Sequence, residues 1–201
     1  MSSPPDISAD EALQRLIDGN ERFLKGKARP PILPRETLAG LVQGQQPFAT
    51  ILGCSDSRVP PEWIFDAGIG ELFVIRVAGN VLSPEVAGSL QYAGSHLQTP
   101  LMVVLGHEGC GAIQAALQMK YEGVQQLSRI QLLVDSILPA LAGVDPDLPK
   151  RTRLTLAVES NVRLTVQAII ESPEGQARAA EGRIKCVGAI YEIETGRVRF
   201  I

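Results

Sequence analysis

The sequence is poor in several residues and patterns that would commit it to common roles. Only two histidines occur among 201 residues, His96 and His107, so imidazole chemistry has few places to reside. Three cysteines, a small and odd number, give no disulfide framework and suit a reducing compartment. No basic tract is present. With 19 Lys and Arg against 22 Asp and Glu, the net charge of -3 offers no electrostatic footprint for nucleic acid or a membrane surface. No apolar run approaches the ~20 residues of a membrane span. The polar, acidic start MSSPPDISADE has no charged-then-apolar signal peptide. Together these absences point to a cytoplasmic protein. The remainder is 45% hydrophobic and 20% charged, enough apolar material for a sizeable core. The length suits one domain at a prior of roughly 150 residues each, and no internal repeat or low-complexity tract divides it.

Residues 8–26 read as an amphipathic helix. Ser8 and Glu11 form a capping box, in which each side chain satisfies an orphan backbone donor. Leu13, Leu16, Ile17, Phe23 and Leu24 fall on one face. The three prolines of ARPPILPRE (28–36) lack donors and fix φ, so an extended arm is expected there. Residues 1–36 would then form a helical arm that packs on a partner subunit. Four short apolar runs, 48–53, 71–77, 101–106 and 184–190, read as buried strands. Helical patterns separate them, near 84–97, 109–121, 124–141, 152–171 and 173–181. In the fourth of these, Val158, Val162, Val166, Ile169 and Ile170 are expected on one face. The end, YEIETGRVRF, reads as strand, Thr195–Gly196 turn and strand. The expectation is therefore a single α/β domain over 1–201. It has a mainly parallel sheet of four strands, an antiparallel edge strand and flanking helices.

Two segments carry the chemistry: Cys54-Ser55-Asp56-Ser57-Arg58 and His107-Glu108-Gly109-Cys110. Each follows an apolar strand, and ligands of open parallel sheets gather at the carboxyl ends of strands. Cys54, His107 and Cys110 would make a Cys2His set, one of the catalytic zinc sets that leave a fourth position open. Asp56 either occupies that position or sits beside it. Two thiolates and one imidazole are soft enough to favour zinc over magnesium or calcium. They also cancel the charge of Zn2+, so a water in the fourth position faces a neutral centre and still ionises far below bulk water. Arg58 is expected to pair with Asp56 and hold it in one pose, so that Asp56 accepts the O–H of the ionised water. If Arg58 let go, Asp56 would become a fourth ligand and close the site. A bland reading stands beside this one: a structural zinc module, closed at every pH, with no role for Arg58. A thiol-redox role is weaker, since no C-x-x-C occurs.

These segments closely resemble the β-class carbonic anhydrases. That family's two signatures occur as CSDSRV (54–59) and GHEGCG (106–111), at a fitting separation. The likeness runs from the helix containing Gly19–Phe23 to VGAIYEIETGRV (187–198). It implies reversible hydration of CO2 to bicarbonate and a proton through zinc-bound hydroxide. It also implies one zinc ion per chain and a homo-oligomer, a dimer or a dimer of dimers, with the active site at the dimer interface. A related linear substrate such as CS2 or COS is the close alternative. Position by position, Cys54, His107 and Cys110 match the zinc ligands, and Asp56 and Arg58 the catalytic pair. Gln45 matches a glutamine that binds substrate from the neighbouring subunit. Phe73 and Tyr92 match aromatic pocket residues, although aromatic residues in a strand and a helix are also ordinary core. Ala78 falls where some members carry valine. One subset of the family has a second, inhibitory bicarbonate site that uses a tryptophan three residues before the first cysteine. Ile51 stands there instead, while Arg76 matches another part of that site; its charge equally suits a carboxylate at the interface. Cys186 and His96 read as structural.

Overall fold

A computed structural model describes residues 6–29, 35–182 and 185–201. Its centre is a five-stranded sheet of order β2-β1-β3-β4-β5. The strands are β1 (Ala49–Gly53), β2 (Leu72–Arg76), β3 (Leu101–His107), β4 (Lys185–Tyr191) and β5 (Val198–Phe200). The first four are parallel, and β5 returns antiparallel on β4. This is the α/β sheet that the alternating pattern predicts.

Side-chain alternation divides the core into two layers. Met102 and Val104 of β3 join Leu52 and Ile190 on one face. Leu101, Val103 and Leu105 join Ile51 and Ala189 on the other. The interior strands β1 and β3 are buried along their whole length, which explains why they read as continuous apolar runs.

The first face is covered by α4 (Pro84–Tyr92), α5 (Gly111–Glu122), α6 (Ser128–Ile137) and the long α7 (Lys150–Glu171), with α8 (Pro173–Ala180) following. The second face is covered by α1 (Ala9–Leu24) and the short α3 (Pro61–Ile64). A further short helix, α2 (Arg35–Leu41), begins inside the stretch expected to be extended. The prolines Pro30, Pro31 and Pro34 of that expected arm lie outside the described residues.

Helix α1 opens on the capping box read from the sequence, with Glu11 N–H donating to Ser8 Oγ at 3.2 Å and Ser8 N–H donating to Glu11 Oε2 at 2.8 Å. It seats Ala12 and Leu16 on this chain's own sheet. Asn20 ties it down: its amide donates to the carbonyls of Ile64 and Gly196 and accepts from Val198 N–H. Gly19 permits the close crossing, because a Cβ there would fall 1.9 Å from the Phe65 carbonyl oxygen.

Two helical expectations change in detail. The helix near 84–97 is α4 followed by a π-type turn over 93–97. On α7, Ile170 faces outward at 44% exposure, whereas Asn161 and Thr165 lie on the buried face with Val158 and Val162. Among the described residues, no helix is long and apolar enough to cross a membrane.

Chain order positions the site. From β1 the chain moves to β2 on one side, then crosses to β3 on the other. The winding reverses between β1 and β3, and a crevice opens at the carboxyl ends of such a strand pair.

Candidate metal centre

Three donor side chains converge at that crevice. Cys54 follows the last residue of β1, His107 ends β3 and Cys110 is the N-cap of α5. All three are buried, and their donor atoms lie within 4.8 Å of one another. Gly109, at φ 64°, turns the chain between His107 and Cys110 in a conformation other residues adopt only with strain.

The geometry passes a test for a tetrahedral metal. The sulfurs of Cys54 and Cys110 are 4.0 Å apart. Two sulfurs bound at about 2.3 Å with tetrahedral angles would stand about 3.8 Å apart. His107 Nδ1 is 2.8 Å from the Glu108 carbonyl oxygen. A carbonyl only accepts, so the proton sits on Nδ1 and the lone pair on Nε2. Nε2 is buried without a hydrogen-bond partner. An unmatched buried acceptor is costly, and a cation at this point satisfies it.

The two sulfurs titrate as a pair. The Cys110 contact, aided by the Gly79 amide, draws the Cys54 thiol well below its ordinary value against the effect of burial. The same contact and burial push Cys110 up, while the amides of Ile113 and Ala112 act in the other direction. A shared proton between close sulfurs is what a divalent cation displaces.

Asp56 stands beside the donors, its Oδ2 3.9 Å from His107 Nε2. Arg58 grips it bidentately, Nε to Oδ1 at 2.9 Å and NH2 to Oδ2 at 2.7 Å. The backbone N–H of Arg58 adds a third bond to Oδ1 at 3.0 Å. This fork holds the Asp56 carboxyl far below the ordinary carboxylate range, against a smaller opposing effect of burial. In this pose Asp56 is engaged by Arg58 and stands outside the three-donor cluster.

Arg76, at the end of β2, is committed to the same loop. Its Nε donates to the Cys54 carbonyl at 2.9 Å and its NH2 to the Asp56 carbonyl at 2.5 Å. Sequence reading offered an anion or an interface carboxylate as its partner; the structure gives it two backbone oxygens. Ala78 opens the buried turn, over 78–80, that packs beside Cys54.

Gln45, Phe73 and Tyr92 are not brought to this end of the chain. Gln45 precedes β1 and lines a cleft with Arg15, Phe48 and Glu71. Cys54 follows the other end of the strand, roughly 17 Å away at ~3.3 Å per residue. Phe73 pairs with Thr50 near the start of β1. Its ring lies 6.1 Å from Tyr92, which stacks at 4.8 Å on His96. Tyr92 is 45% exposed, so it is not a core residue within the chain. Cys186 is partly buried on β4, and burial pushes its thiol up to about 12.

Sequence reading did not single out Asn161 or Gly79. The available signal was a polar residue inside the apolar stripe of α7, between Val158 and Val162.

Comparison with known proteins agrees with this geometry. A family model described as carbonic anhydrase matches residues 49–198. Carbonic anhydrase 2 of Mycobacterium tuberculosis (strain H37Rv) is 38% identical over 197 residues, covering 96% of this chain and 93% of that protein. A carbonic anhydrase of Synechococcus elongatus is 30% identical and covers 92% of this chain and 70% of its own length. Among solved structures, the β-carbonic anhydrase CcaA superposes with a TM-score of 0.74 at 28% identity, over 94% of each chain. A Coccomyxa β-carbonic anhydrase in complex with acetazolamide gives 0.75 at 27% identity, over 93% of this chain and 85% of that one.

Proposed function

This chain belongs to the β-class carbonic anhydrase family, and we propose that it catalyses the reversible hydration of carbon dioxide to bicarbonate and a proton. The observation that carries this reading is the buried Cys54–His107–Cys110 set, with an unmatched His107 Nε2 beside a carboxylate fixed by Arg58. Zinc is the proposed ion: the soft donor set, its charge and its spacing all suit it. When bound, zinc supplies the Lewis acidity that makes a water ionise near neutral pH.

The chain's own groups then supply direction. A carboxylate accepts hydrogen bonds and donates none. Held ionised by Arg58, Asp56 takes the O–H of the attacking water and turns a lone pair away from itself, towards the carbon of CO2. The three bonds from Arg58 keep that acceptor from rotating, so the orientation exists before substrate arrives. The apolar walls, with Leu52, Val81 and Ile113 in the core layer that contains both cysteines, keep bulk water from the donor set.

The same reading includes an assembly, a dimer or a dimer of dimers. Gln45, Phe73 and Tyr92 are proposed to bind substrate in a partner's site, since all three lie towards the far end of their own chain's sheet. The tetrameric β-carbonic anhydrases of Sordaria macrospora share the fold, with a TM-score of 0.78. Residues 1–36 are proposed as an arm that packs on the partner. In this structure α1 seats on its own chain's sheet, so the proposal requires the two copies to exchange arms. The free cysteines suit a reducing compartment, and the cytoplasm is the proposed location.

The test is CO2 hydration kinetics across pH on protein of measured zinc content. Activity is expected to follow zinc occupancy, to vanish with a strong chelator and to return when zinc is restored. Full competence in metal-free protein would sink the proposal.

A further inference from the structure

The turn over Ala78–Asn80 is built from unusual backbone. Gly79 and the non-glycine Asn80 both sit at positive φ, 70° and 45°. Both are buried. A Cβ on Gly79 would lie 3.0 Å from Ile137 Cδ1 and 3.2 Å from Ala112 Cβ, so the turn is wedged against α5 and α6. On its other side, the Gly79 N–H donates to the sulfur of Cys54 at 3.3 Å.

A buried group on α7 holds this turn. Asn161 Nδ2 donates to the Gly79 carbonyl oxygen at 2.9 Å. Asn161 is 2% exposed and lies on the buried face of α7 between Val158 and Val162. A carboxamide buried among valines is costly unless bonded. Its donor bond goes to the residue whose own N–H meets the metal-site sulfur. One carbonyl and one N–H of Gly79 therefore link α7 to Cys54 through a single residue. Loss of the grip at the carbonyl frees the turn to relax its two left-handed residues, and the N–H leaves the sulfur with them.

We propose that Asn161 is a positioning residue for the metal centre: through Gly79 it keeps an N–H on Cys54 and so sets how much charge that sulfur gives to a bound cation. The inference rests on the reading of Cys54 as a ligand. Hydrogen bonds to a ligating sulfur withdraw charge from it, and partners one shell out from the ligands tune metal sites in this way.

Cobalt(II) replaces zinc for the test, because its thiolate charge-transfer band reports donor strength directly. In Asn161→Leu the band is expected to shift to longer wavelength; the sulfur, more basic without the N–H, takes up a proton more readily, and metal release to a chelator is expected to become about 10- to 100-fold faster. Asn161→Ala removes the amide without adding bulk and is expected to do the same. Asn20→Leu is the control, since Asn20 is a buried amide on α1, on the opposite sheet face. It is expected to lower the melting temperature while band and release rate stay put. Wild-type protein loaded with 113Cd gives a measurement that needs no variant: the Gly79 amide proton is expected to show scalar coupling to the metal. An unmoved band in both Asn161 variants, an equal shift in Asn20→Leu, or an uncoupled Gly79 proton overturns the proposal. Failure of the underlying reading looks different, because the charge-transfer band would then be intact in Cys54→Ser.

Discussion

A Cβ placed on Gly106 would fall 2.5 Å from Cγ2 of Val162, so β3 and α7 meet at a separation that only glycine allows. Valine is branched at Cβ and has little rotamer freedom with which to retreat. The helix or the strand must therefore move, and the strand carries His107 one residue on. Gly106→Ala is expected to destabilise the protein by about 1–3 kcal/mol, as overpacking of a filled core does. For a chain of this size, that is roughly 2–4 °C of melting temperature per kcal/mol. Thermal unfolding checks it, and an unchanged melting temperature would show that the two elements are less tightly packed than described.

The Asp56–Arg58 fork separates holding the metal from using it. Asp56→Asn keeps the shape of the side chain but places a donor where the proposal needs an acceptor. Turnover is expected to drop about 10²-fold or more, the scale of a lost proton-handling or orienting group. Zinc content should stay near one per chain. Arg58→Ala should also lower turnover and retain zinc. Full activity in either variant would remove the pair from the mechanism. Loss of zinc from Asp56→Asn would instead make Asp56 a ligand.

Acid sensitivity should come partly from a second carboxylate, far from the metal site. Asp66 is buried and sits at φ 46°, with Arg22 Nε at 2.6 Å and the Arg29 N–H at 2.7 Å. Burial favours the neutral acid, yet the two arginines outweigh it and hold the pKa below its ordinary value. A carboxyl whose pKa is depressed by folding stabilises fully above its unfolded value, about 3.9. That stabilisation is lost as pH falls through the lower folded value. Asp66→Asn is therefore expected to cost about 1.5–3 kcal/mol near neutrality. The gap from wild type should begin to narrow below roughly pH 4 and close only beneath the lower folded value. Urea unfolding at several pH values measures this, and a gap that is constant with pH would contradict it.

Complementation tests whether catalysis is divided between copies. Gln45→Ala and Asp56→Asn are each expected to be impaired alone. When the two are unfolded together and reassembled, one site of each mixed dimer regains both an intact Asp56 and a partner's intact Gln45. An equal mixture should then recover roughly a quarter of wild-type activity, by random pairing of two-fold dimers. No recovery, with mixed dimers present, would place Gln45 outside the partner's site.

Much of this was legible in sequence because local chemistry enforced it. The Ser8–Glu11 box and the apolar strands need no long-range information, and both occur where they were read, although β2, read as buried, is an edge strand that is half-buried and ends exposed at Arg76. The three candidate donors were legible because both segments that carry them lie at strand ends, and a parallel sheet collects strand ends. What periodicity could not reveal was set by contacts distant in the chain. Ile170 was expected on the buried stripe of α7, yet Asn161 and Thr165 share that face and Ile170 turns outward. Asn161 belongs on that face because it donates to the Gly79 carbonyl, 82 residues earlier in sequence. For Arg76 the resemblance suggested an anion and its charge equally suited an interface carboxylate. The backbone oxygens it grips were not legible, since every residue has one.

That grip has a mechanical corollary. β2 is an outermost ribbon of the sheet, and Arg76 fastens its tip to the loop bearing Cys54 and Asp56. Margins of a sheet open before interiors do. Gentle warming or dilute denaturant should therefore slacken the reactive loop first, so that catalysis fades while circular dichroism still reports an intact molecule.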